Sequence, residues 1–427
     1  MLRLGTWGRR FNSSISLVNS NDNYISVKLN GKIIQYSSIF LRDACSAPES
    51  VDKHSSQKLF TTADISKDLK VHDTKVVHNK DGDVLQVKWF QNGQNHISEY
   101  SFKFLDHYST RESRIKGRYF EDYRIVWNNS ILTRDLESIN TSYDAYMNDE
   151  QTFHKMVQQL NKYGLCFVND LPQPTEETMT EENVNHWPVS KLANKFGYIK
   201  KTFYGTLFDV KNVKEAKNIA YTNSFLPLHM DLLYYESPPG LQFLHAIQNS
   251  TLGGENIFVD SFVAAKYIRE KDPRAFNALT QIPITYQYNN NNEFYYYQRP
   301  LVVEDERIDA KSKYPFIKEV NYSPPFQGPF ELGITKSSGN SMTENANHSQ
   351  FNDFLRGLRM FEEFINNPEN QYQLKMPEKS CVIFDNRRVL HSRLEFSDSN
   401  GGDRWLMGCY VDGDSYKSKL RIASRFI

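Results

Sequence analysis

A mainly β chain with flanking helices is the fold class this sequence predicts: a double-stranded β-helix (jelly roll) behind a small N-terminal β domain. Three observations predict it. Short alternating segments separated by turn signals fill the stretch up to about residue 120. Longer apolar strands then alternate with helical patterns from about residue 150. Aromatics make up 14 % of the 427 residues, with 28 Phe and 25 Tyr, which suits a β-rich core.

The elements follow in order. Residues 1–22 carry Arg3, Arg9 and Arg10, several serines and no acidic residue before the end of the stretch, with Leu2, Leu4 and Trp7 set against the basic positions. That is the composition of a mitochondrial transit peptide, with a matrix location as its consequence; an ordinary ragged terminus is the plain alternative. Residues 23–120 hold NYISVKL, KIIQYSSIFL, TKVVHN, VLQVKWF and HISEYSF, divided by NGK, KDGD and QNGQ, and read as the small β domain. Residues 121–150 read as a polar connection, and residues 151–427 as the second domain. A helix is expected over about Asp149–Tyr163, stopped by Gly164. The strands LCFVND, GLQFLHAI, NIFVDSF, IPITYQY and CVIFDN follow, with helices near Ser261–Glu270 and Gln350–Asn366. NNNNE and SSGNSMTENANHSQ read as loops.

Composition excludes several classes. With 51 basic and 51 acidic residues, neither nucleic acid nor an anionic membrane surface is expected as the main partner. No apolar run reaches the ~18 residues of a membrane span. Cys45, Cys166, Cys381 and Cys409 are widely separated and form no CxxC pair, so a reducing interior is the natural reading. The last three lie in apolar strands and read as buried and inert. His245 reads as a satisfied core histidine, and Arg387, Arg388 and Arg393 as surface-paired arginines, one of which could assist a bound anion.

The chemistry concentrates in LPLHMDLLYYESPPG. On a strand, His229 and Asp231 would share one face while Met230 takes the other. Such a pair is either two metal ligands or a chance pair on a half-wet strand. Far downstream, CVIFDNRRVLHSR adds His391 after a buried-looking strand and turn. Two imidazoles and one carboxylate fill one face of an iron ion and leave the other open; the lack of a thiolate suits Fe(II) better than structural zinc. Arg404 follows in GDRWLMGCYVDGD, sharing a strand face with Leu406 and Gly408. A buried arginine needs an anion, and a dicarboxylate cosubstrate would supply one bidentately.

Several separated blocks then agree in order: KTFYGTLFDVK, AYTNSFLPLHMD, YYESPPGLQFLHAI, GGENIFVDSF, MPEKSCVIFDNRRVLH and RWLMGCYVD, together with FLRDAC and QKLFTTADI near the N-terminus. They resemble the γ-butyrobetaine dioxygenase and trimethyllysine dioxygenase group, within the broader family that includes taurine dioxygenase; NYSPPFQGPF and the N-terminal basic segment look closest to a fungal mitochondrial branch. The resemblance runs from about Ser37 to near the C-terminus. It implies Fe(II) on His229, Asp231 and His391, and 2-oxoglutarate on Arg404 with Asn256. It also implies O2 as oxidant, ascorbate as reductant and a homodimer. By the same resemblance Tyr204, Phe208, Tyr221 and Tyr410 would cage a trimethylammonium substrate by cation–π attraction, with Asn218 as a polar contact. The implied reaction is the hydroxylation of γ-butyrobetaine in carnitine biosynthesis. A trimethyllysine dioxygenase, a related dioxygenase of another small substrate and a non-catalytic binding relative are the alternatives.

Three departures from the group's pattern stand out. Leu232 replaces a tyrosine of the γ-butyrobetaine enzyme, and Asn256 stands where many relatives have Ser or Thr. The group's N-terminal zinc site keeps only Cys45 and His96 here, with Ala47 and Ser50 in place of the other two thiols, so no structural zinc is expected.

Overall fold

The computed structural model describes residues 14–120, 123–211, 223–290, 292–309, 311–331, 342–397 and 401–424. The chain divides into two compact units, Met1–Tyr119 and Phe120–Ile427.

The first unit holds two three-stranded antiparallel sheets, Ile15–Ser20, Tyr24–Leu29 and Lys32–Ser37, then Lys70–Asn79, Gly82–Gln91 and Gln94–Ser101, each in chain order. The turn signals explain the hairpins. Asn30-Gly31 (φ 47° and 83°) and Asn92-Gly93 (φ 51° and 77°) both adopt the left-handed backbone that a two-residue type I′ turn requires. Leu85, Val87 and Trp89 alternate onto one face and are fully buried with Ile25, Val27 and Leu41. One boundary differs from expectation. Ile15–Ser20, inside the segment set apart as a leader, pairs with Tyr24–Leu29, and Ile15 is buried in the same core. Its backbone N–H also donates to Asp83 Oδ2 at 2.8 Å. Only residues 1–13 of the expected leader lie outside the described residues.

The second unit is the double-stranded β-helix. Its six-stranded sheet runs in the order Asn140–Ser142, Leu165–Asn169, Ser380–Asp385, Leu241–Asn249, Arg404–Val411 and Phe208–Lys211. The four-stranded sheet runs Leu226–His229, Val389–Arg393, Asn256–Asp260 and Tyr372–Leu374. Pairing in both is antiparallel except between the first two strands of the larger sheet. The expected helix spans Glu150–Tyr163: Asp149 caps it by accepting from the Gln151 and Thr152 N–H groups, and Gly164 ends it at φ 80°. A side chain at 164 would also meet Val389 Cγ2 at 2.8 Å, so two independent constraints require glycine.

Residues 121–150 are more than a connection. They contain the helices Asn129–Asp135 and Tyr143–Asn148, and Trp127, Leu132, Ile139 and Tyr146 are buried in the second unit's core. Four anchors spread through a polar stretch leave no visible period, which is why the segment reads as linker. The expected loop SSGNSMTENANHSQ is helical from Met342 onward, in a helix that continues to Asn366; its residues 337–341 lie outside the described residues. No Gly or Pro lies between Gly339 and Gly357, so nothing opposes extension of the helix toward its N-terminus.

Cys166, Cys381 and Cys409 are free and buried, and burial pushes their thiols well above the ordinary range. His245 is also buried, but its Nδ1 has no hydrogen-bond partner, and burial lowers its pKa to about 4. It is therefore a neutral core histidine that is not fully satisfied. The three arginines around His391 are not surface groups: Arg388 and Arg393 are buried, and Arg387 bonds Glu319 and Asn321. Arg388 is the deepest. It forms a two-point pair with Asp260 (Nε–Oδ1 3.1 Å, Nη2–Oδ2 2.8 Å) and donates to the carbonyls of Ile125, Asn161 and Lys162. Asp260 in turn accepts the Trp127 N–H and caps the helix Ser261–Lys271. Among the described residues no helix is long and apolar enough to cross a membrane.

Arg388→Ala would leave the Asp260 charge buried without its counter-ion and take one donor from each of three carbonyls. It is expected to cost about 3–5 kcal/mol, read from urea denaturation of the variant beside the parent.

Candidate metal centre and pocket

Strand Leu226–His229 pairs with Val389–Arg393 so that Leu226 faces Arg393 and His229 faces His391, with one extra residue bulged out on the first strand between them. Bulges of this kind re-aim a side chain. Here the two imidazole centroids lie 4.2 Å apart. His229 Nε2 is 3.3 Å from Asp231 Oδ1, and His391 Nε2 is 3.8 Å from Asp231 Oδ2. The convergence is the expected one, but its cause is not strand alternation. The strand ends at His229, and Asp231 occupies a turn followed by Leu232 at φ 58°.

That turn is held from outside. Asn386 forms a reciprocal amide pair with it, accepting the Asp231 N–H and donating to the Asp231 carbonyl, each at 2.9 Å. The Tyr410 hydroxyl donates to Asp231 Oδ2 at 2.8 Å. His229 Nδ1 lies 2.8 Å from the Pro227 carbonyl, so that nitrogen carries the proton and Nε2 keeps its lone pair for the cluster. Burial opposes ionisation of Asp231, but the adjoining His229 and His391 and the Tyr410 hydroxyl outweigh it, holding the carboxyl well below the usual range. His391 is pushed down to about 3 by burial and by neighbouring His229, and so is neutral at ordinary pH. One ligand atom from each residue lies within 4.8 Å of the others. Two imidazoles, a carboxylate and no thiolate fit a facially bound divalent iron.

The cluster forms one wall of a cleft of about 750 Å³, counting the space at its mouth. Of the residues singled out in the sequence, Tyr204, Phe208, Tyr410, Asn256 and Arg404 all line it. Asn218 and Tyr221 lie outside the described residues. Phe208 stacks on Tyr410 (centroids 4.9 Å, 27°), and Tyr204 lies 6.2 Å from Phe208. Gly408 makes the stack possible, because a Cβ there would come within 2.3 Å of Phe208 Cζ. Arg404 is buried, its Nε has no partner, and burial together with Arg393 lowers its pKa to about 9. Asn256 Oδ1 is likewise buried without a partner.

Sequence reasoning missed Gln242, Tyr234, Phe326 and Ser392, which also line the cleft, and Asn386 behind it. Gln242 had a signal, as the one uncharged polar side chain within LQFLHAI. Asn386 had only its place in a turn. Leu232, the departure noted above, lines the cleft as an apolar wall.

In the first unit, Cys45 Sγ and His96 Nε2 lie 3.1 Å apart, in direct hydrogen-bond contact. The Ala47 N–H donates to the same sulfur, and Ser50 Oγ accepts from Arg42 Nη1. Tetrahedral zinc would hold a sulfur and a nitrogen about 3.5 Å apart and needs two more donors. These residues do not fit it.

A buried two-histidine, one-carboxylate cluster inside a double-stranded β-helix, faced by a buried arginine whose Nε has no partner, marks the Fe(II)- and 2-oxoglutarate-dependent oxygenases as a class. The model of the taurine catabolism dioxygenase TauD, TfdA family matches residues 131–410, and the chain belongs to that family. It is a 2-oxoglutarate-dependent dioxygenase, and its two-histidine, one-carboxylate donor set suits Fe(II). It is 33 % identical over 391 residues to dioxygenase str8 of Strobilurus tenacellus, covering 90 % of this chain and 84 % of that one. It is 32 % identical over 419 residues to the probable oxidoreductase AIM17 of Saccharomyces cerevisiae, with the same coverage. To the γ-butyrobetaine dioxygenase of Pseudomonas sp. (strain AK-1) it is 26 % identical over 396 residues, 92 % of each chain. Trimethyllysine dioxygenases match as well.

Two outcomes are expected. Elemental analysis of purified protein should find well under one zinc per chain; a stoichiometric zinc would overturn the reading of Cys45 and His96. Gly408→Ala should displace the Phe208 ring, costing about 1–3 kcal/mol in a melt and lowering substrate-stimulated turnover.

Proposed function

We propose that this dioxygenase hydroxylates a small trimethylammonium substrate, most like γ-butyrobetaine. The observation that carries the reading is the aromatic wall of Tyr204, Phe208 and Tyr410 beside the metal cluster, in a cleft whose only acidic lining residue among those described is Asp231. With that carboxylate committed to the metal, a cation in the cleft would be held by ring faces, as cation–π attraction allows. Tyr204, Phe208 and Tyr410 orient the substrate, with Asn218 and Tyr221 as further contacts. His229, Asp231 and His391 would hold Fe(II), and Arg404 with Asn256 would hold the distal carboxylate of 2-oxoglutarate. When bound, Fe(II) supplies the oxygen chemistry that couples decarboxylation of 2-oxoglutarate to hydroxylation of the substrate. The protein's part is to position both molecules and exclude water with Leu226, Leu232, Leu244 and Leu406. We also assign the protein to the mitochondrial matrix, with an import segment ending before Ile15; the basic composition of residues 1–13 supports this.

Leu232 favours a second reading, in which the substrate is a different small molecule, since an apolar side chain stands where the γ-butyrobetaine enzyme has a tyrosine.

The test is succinate formation by the purified protein with Fe(II), ascorbate and 2-oxoglutarate, with γ-butyrobetaine, trimethyllysine or no added substrate, and His229→Ala as blank. Stimulation by γ-butyrobetaine is expected. Stimulation by trimethyllysine alone would move the assignment to that substrate. His229-dependent succinate that neither compound stimulates would overturn the trimethylammonium reading while leaving a working oxygenase.

A further inference from the structure

Asp231 lies beyond the end of its strand, so no sheet ladder limits how its carboxylate rotates. Its backbone is fixed by Asn386, but that pair leaves the side chain's terminal torsion open. The geometry points to Tyr410 as the residue that closes this freedom: a positioning residue for the metal-binding carboxylate, whose hydroxyl is committed to Asp231 and whose ring alone faces the substrate. The inference rests on reading His229, Asp231 and His391 as the metal-holding set.

The hydroxyl donates to Oδ2 at 2.8 Å, while Oδ1 sits 3.3 Å from His229 Nε2. One lone pair of Oδ2 is thereby engaged and the carboxylate plane is set relative to both imidazoles. Tyr410 can serve as a brace because it is itself held. It is buried near the end of the strand Arg404–Val411, and one ring face is covered by Phe208 at 4.9 Å. That cover exists only because position 408 has no side chain. A run of contacts therefore leads from Phe208 through Tyr410 to Asp231, and the same ring that lines the substrate cleft orients a metal ligand. Partners that orient a ligand in this way are typically worth about 10–100-fold in metal affinity.

Tyr410→Phe keeps the ring and the stack and removes only the donor. The experiment titrates metal-free protein with Co(II), followed by visible absorption and calorimetry, beside a melt of the metal-free form. Co(II) binding about tenfold weaker than in the parent, with an unchanged melt, is the expected result. Parent-like Co(II) affinity in Tyr410→Phe would overturn the inference. So would a loss of affinity accompanied by a lower metal-free melting temperature, since that marks a merely structural role. His229→Ala is titrated in parallel. If it binds Co(II) as the parent does, the metal-holding set itself is wrong, which separates that failure from failure of the brace.

Discussion

The antiparallel pairing of Leu226–His229 with Val389–Arg393 is the constraint from which the rest of the site follows. It sets His229 opposite His391 across a single bulge and brings two imidazoles to 4.2 Å although they lie far apart in the chain. Everything else in the cleft is arranged around that pair. The turn after His229 supplies Asp231, the loop before His391 supplies Asn386 to hold that turn, and the facing sheet supplies Arg404 and Tyr410. A slip of one residue in the pairing would turn one imidazole away from the cleft, because side chains alternate along a strand.

The same unit buries an unusual amount of charge and divides it into two kinds. Arg388 and Asp260 satisfy each other and tie together four chain segments, so that charge is structural. Arg404 carries a buried guanidinium with an unpartnered Nε and a pKa lowered to about 9. Phe396 lies under the guanidiniums of both Arg393 and Arg404, at 5.1 and 5.2 Å, so both pack on one aromatic face. A dicarboxylate entering the cleft would meet a donor already stripped of water. This is the physical basis for tight, oriented binding of such a cosubstrate.

The N-terminal unit is held by hydrogen bonds and an apolar core. Cys45 and His96 bond each other directly, and Leu85, Val87 and Trp89 are fully buried in the core.

By itself the sequence determined the chemistry on offer and the local structure. The residue types His229, Asp231, His391 and Arg404, the Asn-Gly hairpins, the Asp149 cap and the Gly164 stop are all written in side-chain chemistry or short-range backbone preference. The fold class followed from periodicity for the same reason. Tertiary structure alone decided which of these groups touch. The bulge at His229, the reciprocal pair of Asn386 with residue 231, the burial of Arg388, and the commitment of the Tyr410 hydroxyl to a carboxylate depend on strand register and on contacts between distant segments. Residues 121–150 read as linker for a related reason: Trp127, Leu132, Ile139 and Tyr146 are too sparse to form a period, and only the rest of the core gives them something to pack against. Local propensity is set within a few residues, whereas hydrogen-bond partners and burial are set by the whole chain.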